Sequence, residues 1–476
     1  MTPGPLPSSS PAEQGVAAGH LLRFLDGVEE AEGVELHSLM ILRHGHVVAD
    51  GWWAPYQPDL VHHLYSLSKG FTSAAIGLAE AEGWLALDDP VIKYFPDLDA
   101  EITDPRSRSI LIRHLLIMAN GHDVGTWSQT FDVDPSDPVR GFLLMVPDSD
   151  PGTVFTYDES CSYTLGAIVQ QTTGQTLTEF LRPRLLDPLG IDRFGWVQVA
   201  GRDAGSAGLH ATTDAVARLG QLLLQRGHWN GRQLLPESWV AEATRRQISS
   251  SGPGPDWQQG YGFQFWMSRH GYRGDGLFGQ FCLVLPEHDA VIVATGASSD
   301  PPALLDLIWT RLLPAFDTEN TRSAVPGPQD AALRDRLAQL QVPPASGRLA
   351  PPAHRAEWAG AVFRPAGGTC DAQPDLSMIE LAAEQEDWRI IATDYDTRYS
   401  LLLHARGWNR AATVAGVPTV ISGGWTSDST LTFAIVFLET PHRLAVTCDL
   451  PTRTFRAAWH TAPPGGFDFD ELRSPS

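Results

Sequence analysis

The spacing of apolar residues predicts one strongly buried helix early in the chain. After Leu64, apolar and small residues recur at helical spacing as far as Ala79, and Gly83 supplies a stop signal. Ser66 falls in the first turn of this helix. Lys69 follows three residues later, which places its side chain one turn above Ser66 on the same helix face. We therefore treat this helix as the element around which the rest of the chain is organised.

Strand patterns lie on both sides of a helical region. Residues 38–43 and 47–53 form a predicted hairpin, and three strand-like runs follow at 261–267, 281–285 and 290–295. The chain between them carries helical patterns at residues 110–118, 138–146, 163–172, 177–186, 212–226 and 236–246, with further helices at 20–30 and 302–313. This order predicts an α/β (α+β) fold. One antiparallel sheet is assembled from both ends of the unit and closes around the helix that carries Ser66.

Changes in composition divide the chain into five parts. Residues 1–14 are rich in Pro and Ser and are predicted to be a disordered tail, and residues 15–320 form the catalytic unit. Residues 321–357 are interpreted as a Pro-rich linker with a short helix at 331–340. Residues 358–465 alternate apolar and polar positions between Gly-rich turns, which predicts a separate β-barrel-like domain before a tail at 466–476. We expect the catalytic unit to fold without that domain.

Charge and cysteine usage narrow the classes of function. The 476 residues are 43% hydrophobic and 19% charged, which is typical of globular proteins, and their formal net charge is −22. Such a charge argues against a nucleic-acid or anionic-membrane partner, because phosphate binding needs clustered cations. The four cysteines form no CxxC pair, which favours reduced thiols over a disulfide framework. The first residues lack the pattern of a signal peptide, and no apolar segment is long enough to span a bilayer. We expect a cytoplasmic protein that acts on a small molecule, and its oligomeric state stays open.

The scarcity of lysine is the main reason to assign a chemical role to the Ser66–Lys69 pair. Lysine occurs only at Lys69 and Lys93, whereas 32 positions carry arginine. Lysine can lose a proton and act as a base, but arginine stays charged at any working pH. The alternative interpretation is a serine near a helix start with an incidental lysine. In a chain that otherwise uses arginine for its cations, proton-transfer chemistry is the better explanation.

The sequence carries no other motif that indicates a catalytic, nucleotide-binding or metal-binding site. Gly274, Gly276 and Gly279 spell GxGxxG, but a strand pattern follows where a dinucleotide site needs a helix. GxSxG and HExxH are both missing from the sequence. His44 and His46 flank a turn with no third metal ligand nearby, so a solvated turn is preferred. No metal or cofactor is implied.

Ser66-Leu67-Ser68-Lys69 resembles the SxxK signature of the serine β-lactamase and penicillin-binding-protein superfamily. Further segments resemble landmarks of its class C-like branch, in the right order and over roughly residues 20–310. They are LDDPV at Leu87, IRHLLIMANGH at Ile112, PGTVFTYDES at Pro151, AGLHATTDAVARLGQLLL at Ala207 and GLFGQFCLVLP at Gly276. The resemblance implies a β-lactamase-like fold.

The resemblance also implies roles for individual residues. Ser66 corresponds to the nucleophile, Lys69 to the neighbouring base, and Tyr157 to the tyrosine that moves a proton between nucleophile and leaving group. The backbone N–H groups of Ser66 and Leu277 correspond to the oxyanion hole, the pair of donors that binds the developing negative oxygen. Which of Lys69 and Tyr157 is the primary base stays open, because coupled groups titrate as a pair.

The chain departs from the family pattern at two places. The usual Tyr-x-Asn reads Tyr157-Asp158-Glu159, and the usual Lys/His-Thr-Gly reads Gly274-Asp275-Gly276. In β-lactam enzymes that Lys or His helps to hold the substrate carboxylate, so we expect a carboxylate-bearing β-lactam to be poorly received here. Glu159, Asp275 and Gly276 are the expected substrate-binding residues, and the two acids suggest a cationic or amine-bearing substrate. These departures resemble the esterase and aminohexanoate-oligomer hydrolase branches.

The residues together predict a serine hydrolase that cleaves an ester or amide through an acyl-enzyme on Ser66. A β-lactamase or DD-peptidase is the alternative within enzymes. A catalytically silent binding protein on the same fold, with the C-terminal domain as its interaction module, is the alternative outside them.

The Lys69→Arg substitution tests the argument from lysine scarcity. A guanidinium cannot release its proton near neutral pH, so we expect kcat for an ester substrate to fall at least about a hundredfold with the fold intact by circular dichroism. Lys69→Met is the slimmer, neutral control for the added bulk. If Arg keeps most of the activity, Lys69 only supplies charge and Tyr157 must act alone.

Overall fold

The computed structural model describes residues 4–317, 326–348, 355–385, 387–403, 408, 412–464 and 469–475. Its catalytic unit is built on one antiparallel sheet of six strands. In chain order these are β1 (Leu36–Arg43), β2 (His46–Trp52), β3 (Trp266–Met267), β4 (Tyr272–Gly276), β5 (Gln280–Leu285) and β6 (Ala290–Gly296). Their order across the sheet is β3-β4-β5-β6-β1-β2. The prediction that one sheet is assembled from both ends of the unit is confirmed by the pairing of β1 with β6.

Five helices are the longest among the described residues: α1 (Ala18–Glu30), α2 (Ser68–Ala81), α3 (Glu159–Thr173), α4 (Thr213–Leu224) and α5 (Pro328–Leu337). Shorter helices are Pro105–Arg108, Ile112–Leu116, Trp127–Val133, Pro138–Leu144, Leu177–Leu181, Asp187–Leu189, Glu237–Ala243, Pro301–Leu307 and Arg355–Trp358. Within the described ranges, no helix has both the length and the apolar character needed to cross a bilayer.

Helix α2 lies at the centre of the catalytic unit. Every residue from Ser68 to Ala79 is buried, because the helix carries small or apolar side chains all round and packs between other elements rather than on the surface. Two of its glycines allow this close packing. A Cβ on Gly77 would lie 2.5 Å from the Trp239 ring, and one on Gly70 would lie 3.2 Å from Phe265. The predicted buried helix is confirmed, although its first turn, Tyr65–Leu67, is a separate 3-10 turn.

Smaller antiparallel pairings surround the main sheet. One of them, His62–His63 with Leu209–Ala211 and Phe194–Trp196, leads directly into the turn that carries Ser66. The others pair Gln198–Val199 with Arg202–Asp203, and His228–Trp229 with Arg232–Gln233.

The strand prediction differs from the structure on one side of the sheet. Residues 261–265 are not a strand: Gln264 has φ of 70°, which breaks the extended backbone before the short strand β3. Strand β4 was missed because its sequence, Tyr-Arg-Gly-Asp-Gly, carries two glycines and two charged residues. Its second glycine, Gly276, is required because the strand packs closely against the backbone of the Ser66 turn. Local strand preference does not predict such a contact.

The N-terminal segment and the first part of the predicted linker pack on the catalytic unit, whereas Ala345 and Arg348 at the end of the linker are hydrogen-bonded to the C-terminal domain. The prediction of a disordered tail is wrong for residues 4–14, since the Ser9 N–H donates to the Val47 carbonyl at 3.0 Å and a 3-10 turn follows at Ala12–Gln14. The linker helix is α5, three residues earlier than expected. Leu333 and Leu340 are buried in the core of the catalytic unit, so this part of the segment is a packed element and not a spacer.

The described residues of the C-terminal domain form a barrel-like arrangement of nine strands with its own core. In chain order they are β7 (Val362–Pro365), β8 (Leu376–Glu384), β9 (Asp387–Asp394), β10 (Thr397–Leu403), β11 (Ala412–Val414), β12 (Val417–Trp425), β13 (Thr430–Phe437), β14 (Arg443–Asp449) and β15 (Thr454–Trp459). The spatial order is β10-β9-β8-β7-β15-β14-β13-β12-β11, and among these described strands only the β7–β15 pair is parallel. Trp358, Trp388 and Trp425 are buried together in the core of this domain. Val420, Val436 and Leu438 instead join the core of the catalytic unit, so the two domains share an apolar interface.

The packing of α5 predicts a stability effect outside the expected catalytic boundary. Leu333 is 2% exposed, so Leu333→Ala should lower the free energy of unfolding by about 2 to 5 kcal/mol through a cavity in the catalytic core. Arg334→Ala, next to it on the same helix with a 79% exposed side chain, should change that free energy by less than about 0.5 kcal/mol. Urea unfolding of the two variants checks this. Equal stabilities would mean that α5 is a loosely attached linker after all.

Candidate active site

Ser66 occupies the middle of the 3-10 turn Tyr65–Leu67, directly before α2. Tyr65 holds this turn in an uncommon shape, with φ of 49°. A non-glycine residue in the left-handed region needs surrounding contacts to keep it there. Ser68 provides one of them, because its buried hydroxyl donates to the Tyr65 carbonyl and accepts the Leu209 N–H at 3.2 Å. The turn therefore presents the half-buried Ser66 side chain at a fixed position.

Lys69 is buried beside Ser66. The ammonium nitrogen Nζ lies 2.9 Å from Ser66 Oγ and 2.7 Å from the Ser206 carbonyl oxygen, and the side chain is 1% exposed. No carboxylate lies within ion-pair distance of this Nζ in the described part of the chain. Lys93, in contrast, is 57% exposed and pairs with Asp89 on the surface at 2.9 Å. The two lysines thus have different environments, and only Lys69 is placed to exchange a proton with a serine.

The ring of Tyr157 packs against the ammonium group of Lys69. Lys69 Nζ lies 4.8 Å from the centroid of the Tyr157 ring, which brings the three predicted catalytic residues into one cluster around the lysine. The ring is stacked on Trp266 with 5.4 Å between centroids and meets the edge of Tyr261. The half-buried Phe155 contacts the same Trp266. An aromatic wall, made of Phe155, Tyr157, Tyr261 and Trp266, therefore lies next to Lys69.

The start of α3 fixes the backbone next to Tyr157. Asp158 caps the helix by accepting the Ser160 N–H at 3.0 Å, and it also accepts from Asn120 Nδ2 at 2.7 Å and Thr126 Oγ1 at 2.6 Å. The carboxylate is 1% exposed, so all three donors compensate for its burial. Cys161 in the next turn is fully buried, and that burial raises the pKa of its thiol, which suits a packing role rather than a reactive one.

Gly276 lets the end of β4, which precedes Leu277, pack against the turn that carries Ser66. A Cβ on Gly276 would lie 2.2 Å from the Leu64 carbonyl oxygen and 3.2 Å from the Leu67 nitrogen, so only glycine allows β4 to meet the Ser66 turn. Leu277 follows directly. In the described residues, neither the Ser66 N–H nor the Leu277 N–H has a hydrogen-bond acceptor. The two donors remain available to a bound oxygen.

Asp275 is not a free negative group. Arg273, which is fully buried, donates from Nε to Asp275 Oδ2 at 2.9 Å and from Nη1 to the Asp256 carbonyl, the Met267 carbonyl and Ser268 Oγ. Burial raises the pKa of the Asp275 carboxyl, and the Arg273 guanidinium opposes that rise. This pairing argues against Asp275 as a free charge for a cationic substrate, and its contact with substrate stays a prediction.

Glu159, the other acid of that expectation, is the first residue of α3 and is half-buried. Gly276 packs against the Ser66 turn, where it permits close backbone packing, and its contact with substrate stays a prediction.

Several residues that shape the site were not predicted from the sequence. The Ser206 carbonyl binds Lys69, but a backbone oxygen has no residue-type signal. Trp266 and Tyr261 carry aromatic side chains that sequence patterns assign to any core. Arg273 stands among 32 arginines, and only the fold buries it beside the site.

The family comparison agrees with this geometry. The beta-lactamase family model matches residues 26–315, so the chain belongs to that family. It is 27% identical over 317 residues to the 6-aminohexanoate-dimer hydrolase of Paenarthrobacter ureafaciens, covering 62% of this chain and 81% of that protein. It is 26% identical over 162 residues to the esterase EstB of Burkholderia gladioli, covering 30% of this chain and 40% of EstB. A penicillin-binding protein homologue from Caulobacter crescentus has the same fold, with a TM-score of 0.51 at 20% identity over 66% of this chain and 100% of that one.

Two glycines of β4 form a matched pair for testing the backbone approach. Gly276→Ala should lower kcat about a hundredfold, because the clash with Leu64 moves the Leu277 N–H relative to Ser66. Gly274→Ala in the same strand should keep most of the activity, since its Cβ would lie 3.4 Å from Leu67, an ordinary contact. Steady-state kinetics on one ester substrate compares them. Equal effects of the two substitutions would contradict a specific role for Gly276.

Proposed function

We propose that the protein is a serine hydrolase that cleaves an ester or amide through an acyl-enzyme on Ser66. The contact of 2.9 Å between Lys69 Nζ and Ser66 Oγ is the observation that carries the proposal. A hydroxyl is a weak nucleophile unless a base removes its proton, and a lysine held at this distance is suited to that task.

The proposed reaction has two halves. In the first, the Ser66 proton passes to Lys69 or Tyr157 while Oγ bonds to the substrate carbonyl carbon, and the N–H groups of Ser66 and Leu277 bind the oxyanion. Collapse breaks the bond to the leaving group, which receives that proton by way of Tyr157. In the second, the oxygen of a water molecule bonds to the acyl carbon, the bond from that carbon to Ser66 Oγ breaks and releases the carboxylic acid, and the water proton returns to Ser66 Oγ by the same groups. Each oxyanion donor contributes roughly 3 kcal/mol in other serine enzymes.

The substrate is expected to carry an apolar portion and no essential cation. Phe155 and Tyr157, the half-buried members of the aromatic wall, offer apolar contacts beside Lys69, and the Asp275 carboxylate is already matched by Arg273. The names of two relatives, a 6-aminohexanoate-dimer hydrolase and an esterase, support an amide or ester as the substrate class. We therefore favour linear esters and amides over β-lactams.

Labelling with a fluorophosphonate tests the nucleophile. Such a probe phosphonylates an activated serine, so we expect labelling that maps by mass spectrometry to Ser66 in the wild type and is lost in Ser66→Ala. Ser66→Ala should also abolish turnover of p-nitrophenyl esters, with an unchanged circular dichroism spectrum because a single half-buried oxygen is removed. Ester turnover that survives in Ser66→Ala, purified free of host esterases, would disprove the assignment.

A substrate panel separates the remaining alternatives. Linear p-nitrophenyl esters and short amides should be turned over, and a labelled penicillin should acylate Ser66 slowly or not at all. Rapid acylation by penicillin would favour the β-lactamase or DD-peptidase alternative. A wild-type protein that no probe labels would be a binding protein on this fold.

A further inference from the structure

The C-terminal domain reaches the Ser66 turn through one hairpin. The turn between β13 and β14, residues 438–442, leaves the barrel-like domain and packs on the catalytic unit, where Leu438 is buried in the catalytic core. The Glu439 carbonyl accepts the His63 N–H at 2.8 Å, three residues before Ser66. The last residue of this turn, His442, is 0% exposed.

His442 makes a directed hydrogen bond to the residue that precedes Ser66. The Tyr65 hydroxyl and His442 Nε2 are 2.6 Å apart, and His442 Nδ1 lies 2.8 Å from the Thr461 carbonyl oxygen. A carbonyl only accepts, so Nδ1 carries the proton. Nε2 of the neutral ring is then the acceptor, and the Tyr65 O–H donates to it. Both ring nitrogens are used, which gives the imidazole one orientation.

The same histidine touches the other side of the oxyanion hole. The Phe278 ring, one residue after Leu277, meets the edge of Tyr65 at 5.6 Å and the edge of His442 at 5.7 Å between centroids. Phe278 has φ of 66° and Tyr65 has φ of 49°, so each residue holds an uncommon backbone shape next to one of the two donors. The three rings form one cluster that joins both donors to the C-terminal domain.

We propose that the C-terminal domain is a structural part of the active site, with His442 as a positioning residue that holds the Ser66 and Leu277 N–H groups in register through Tyr65 and Phe278. The inference rests on the proposed acyl-enzyme chemistry at Ser66. Oxyanion donors act on the transition state more than on bound substrate, so loss of their alignment lowers kcat and leaves KM nearly unchanged. Misplacement of a reacting group by about 1 Å can cost about a hundredfold in rate.

Four variants test this role, each measured for kcat and KM on a p-nitrophenyl ester, for the rate of fluorophosphonate labelling at Ser66, and for thermal stability. Tyr65→Phe removes only the donor oxygen, and His442→Leu removes the acceptor. Each should lower kcat and the labelling rate about ten- to a hundredfold with KM within about threefold. The double variant should be no slower than the slower single variant, because both remove the same interaction. His442→Gln, which can accept from Tyr65 and donate to Thr461, should restore most of the rate.

Arg443→Met is the matched control for the domain interface. Arg443 is the next residue and pairs with Glu35 of the catalytic unit at 2.9 Å, whereas the hydrogen bond to the Tyr65 hydroxyl comes from His442. We expect Arg443→Met to lower thermal stability at most and to leave kcat near the wild-type value.

Three outcomes would overturn the inference. They are wild-type kcat in Tyr65→Phe and His442→Leu, multiplicative losses in the double variant, and a loss in Arg443→Met as large as that in His442→Leu. A wild type that fluorophosphonate does not label at all would instead overturn the proposed function, together with the inference that rests on it.

Discussion

A buried lysine held against a serine is the constraint on which the rest of this structure depends. Removing an ammonium group from water is costly unless polar partners replace the water, and Lys69 has few: Ser66 Oγ, the Ser206 carbonyl and the face of Tyr157. Those partners come from three distant parts of the chain. The helix that carries Lys69 must therefore be enclosed on all sides, which explains why α2 consists of small and apolar residues and why its glycines touch Trp239 and Phe265. The sheet and the helical block can be understood as the enclosure for this pair.

Close backbone packing sets the second requirement of the site. The end of β4 must approach the Ser66 turn to within contact distance of Leu64, and Gly276 allows this because it has no Cβ. On the far side of that contact, Tyr65, Phe278 and His442 pack ring against ring. Strained backbone at two of these positions is kept in place by surrounding contacts, some of which come from the C-terminal domain. The barrel-like domain has its own core and, under the proposed role of His442, also supports the site.

The charged groups next to the site differ from those of the β-lactam enzymes. The Asp275 carboxylate, beside the position where β-lactam enzymes carry Lys or His, is matched by an arginine from the same strand, and that arginine is packed against Trp257 at 4.6 Å. The Asp275 carboxylate is therefore paired within the fold, and packed aromatic side chains lie beside Lys69, in a protein of net charge −22.

The amino-acid sequence by itself determined the elements whose signals are local. Helical spacing after Leu64, the Ser66–Lys69 separation and the scarcity of lysine were sufficient to locate the centre of the site, and alternation of apolar residues was sufficient to separate the C-terminal strands. Tertiary structure decided what depends on distant contacts. Three features depend on residues that are far apart in sequence: the burial of α5, the Ser206 carbonyl bound to Lys69 and the hydrogen bond between His442 and Tyr65. A fourth, the pairing of Arg273 with Asp275, involves a residue type that is common in this chain. A backbone oxygen, one arginine among 32 and a histidine in a hairpin turn carry no local pattern, so only the folded chain shows which of them meet.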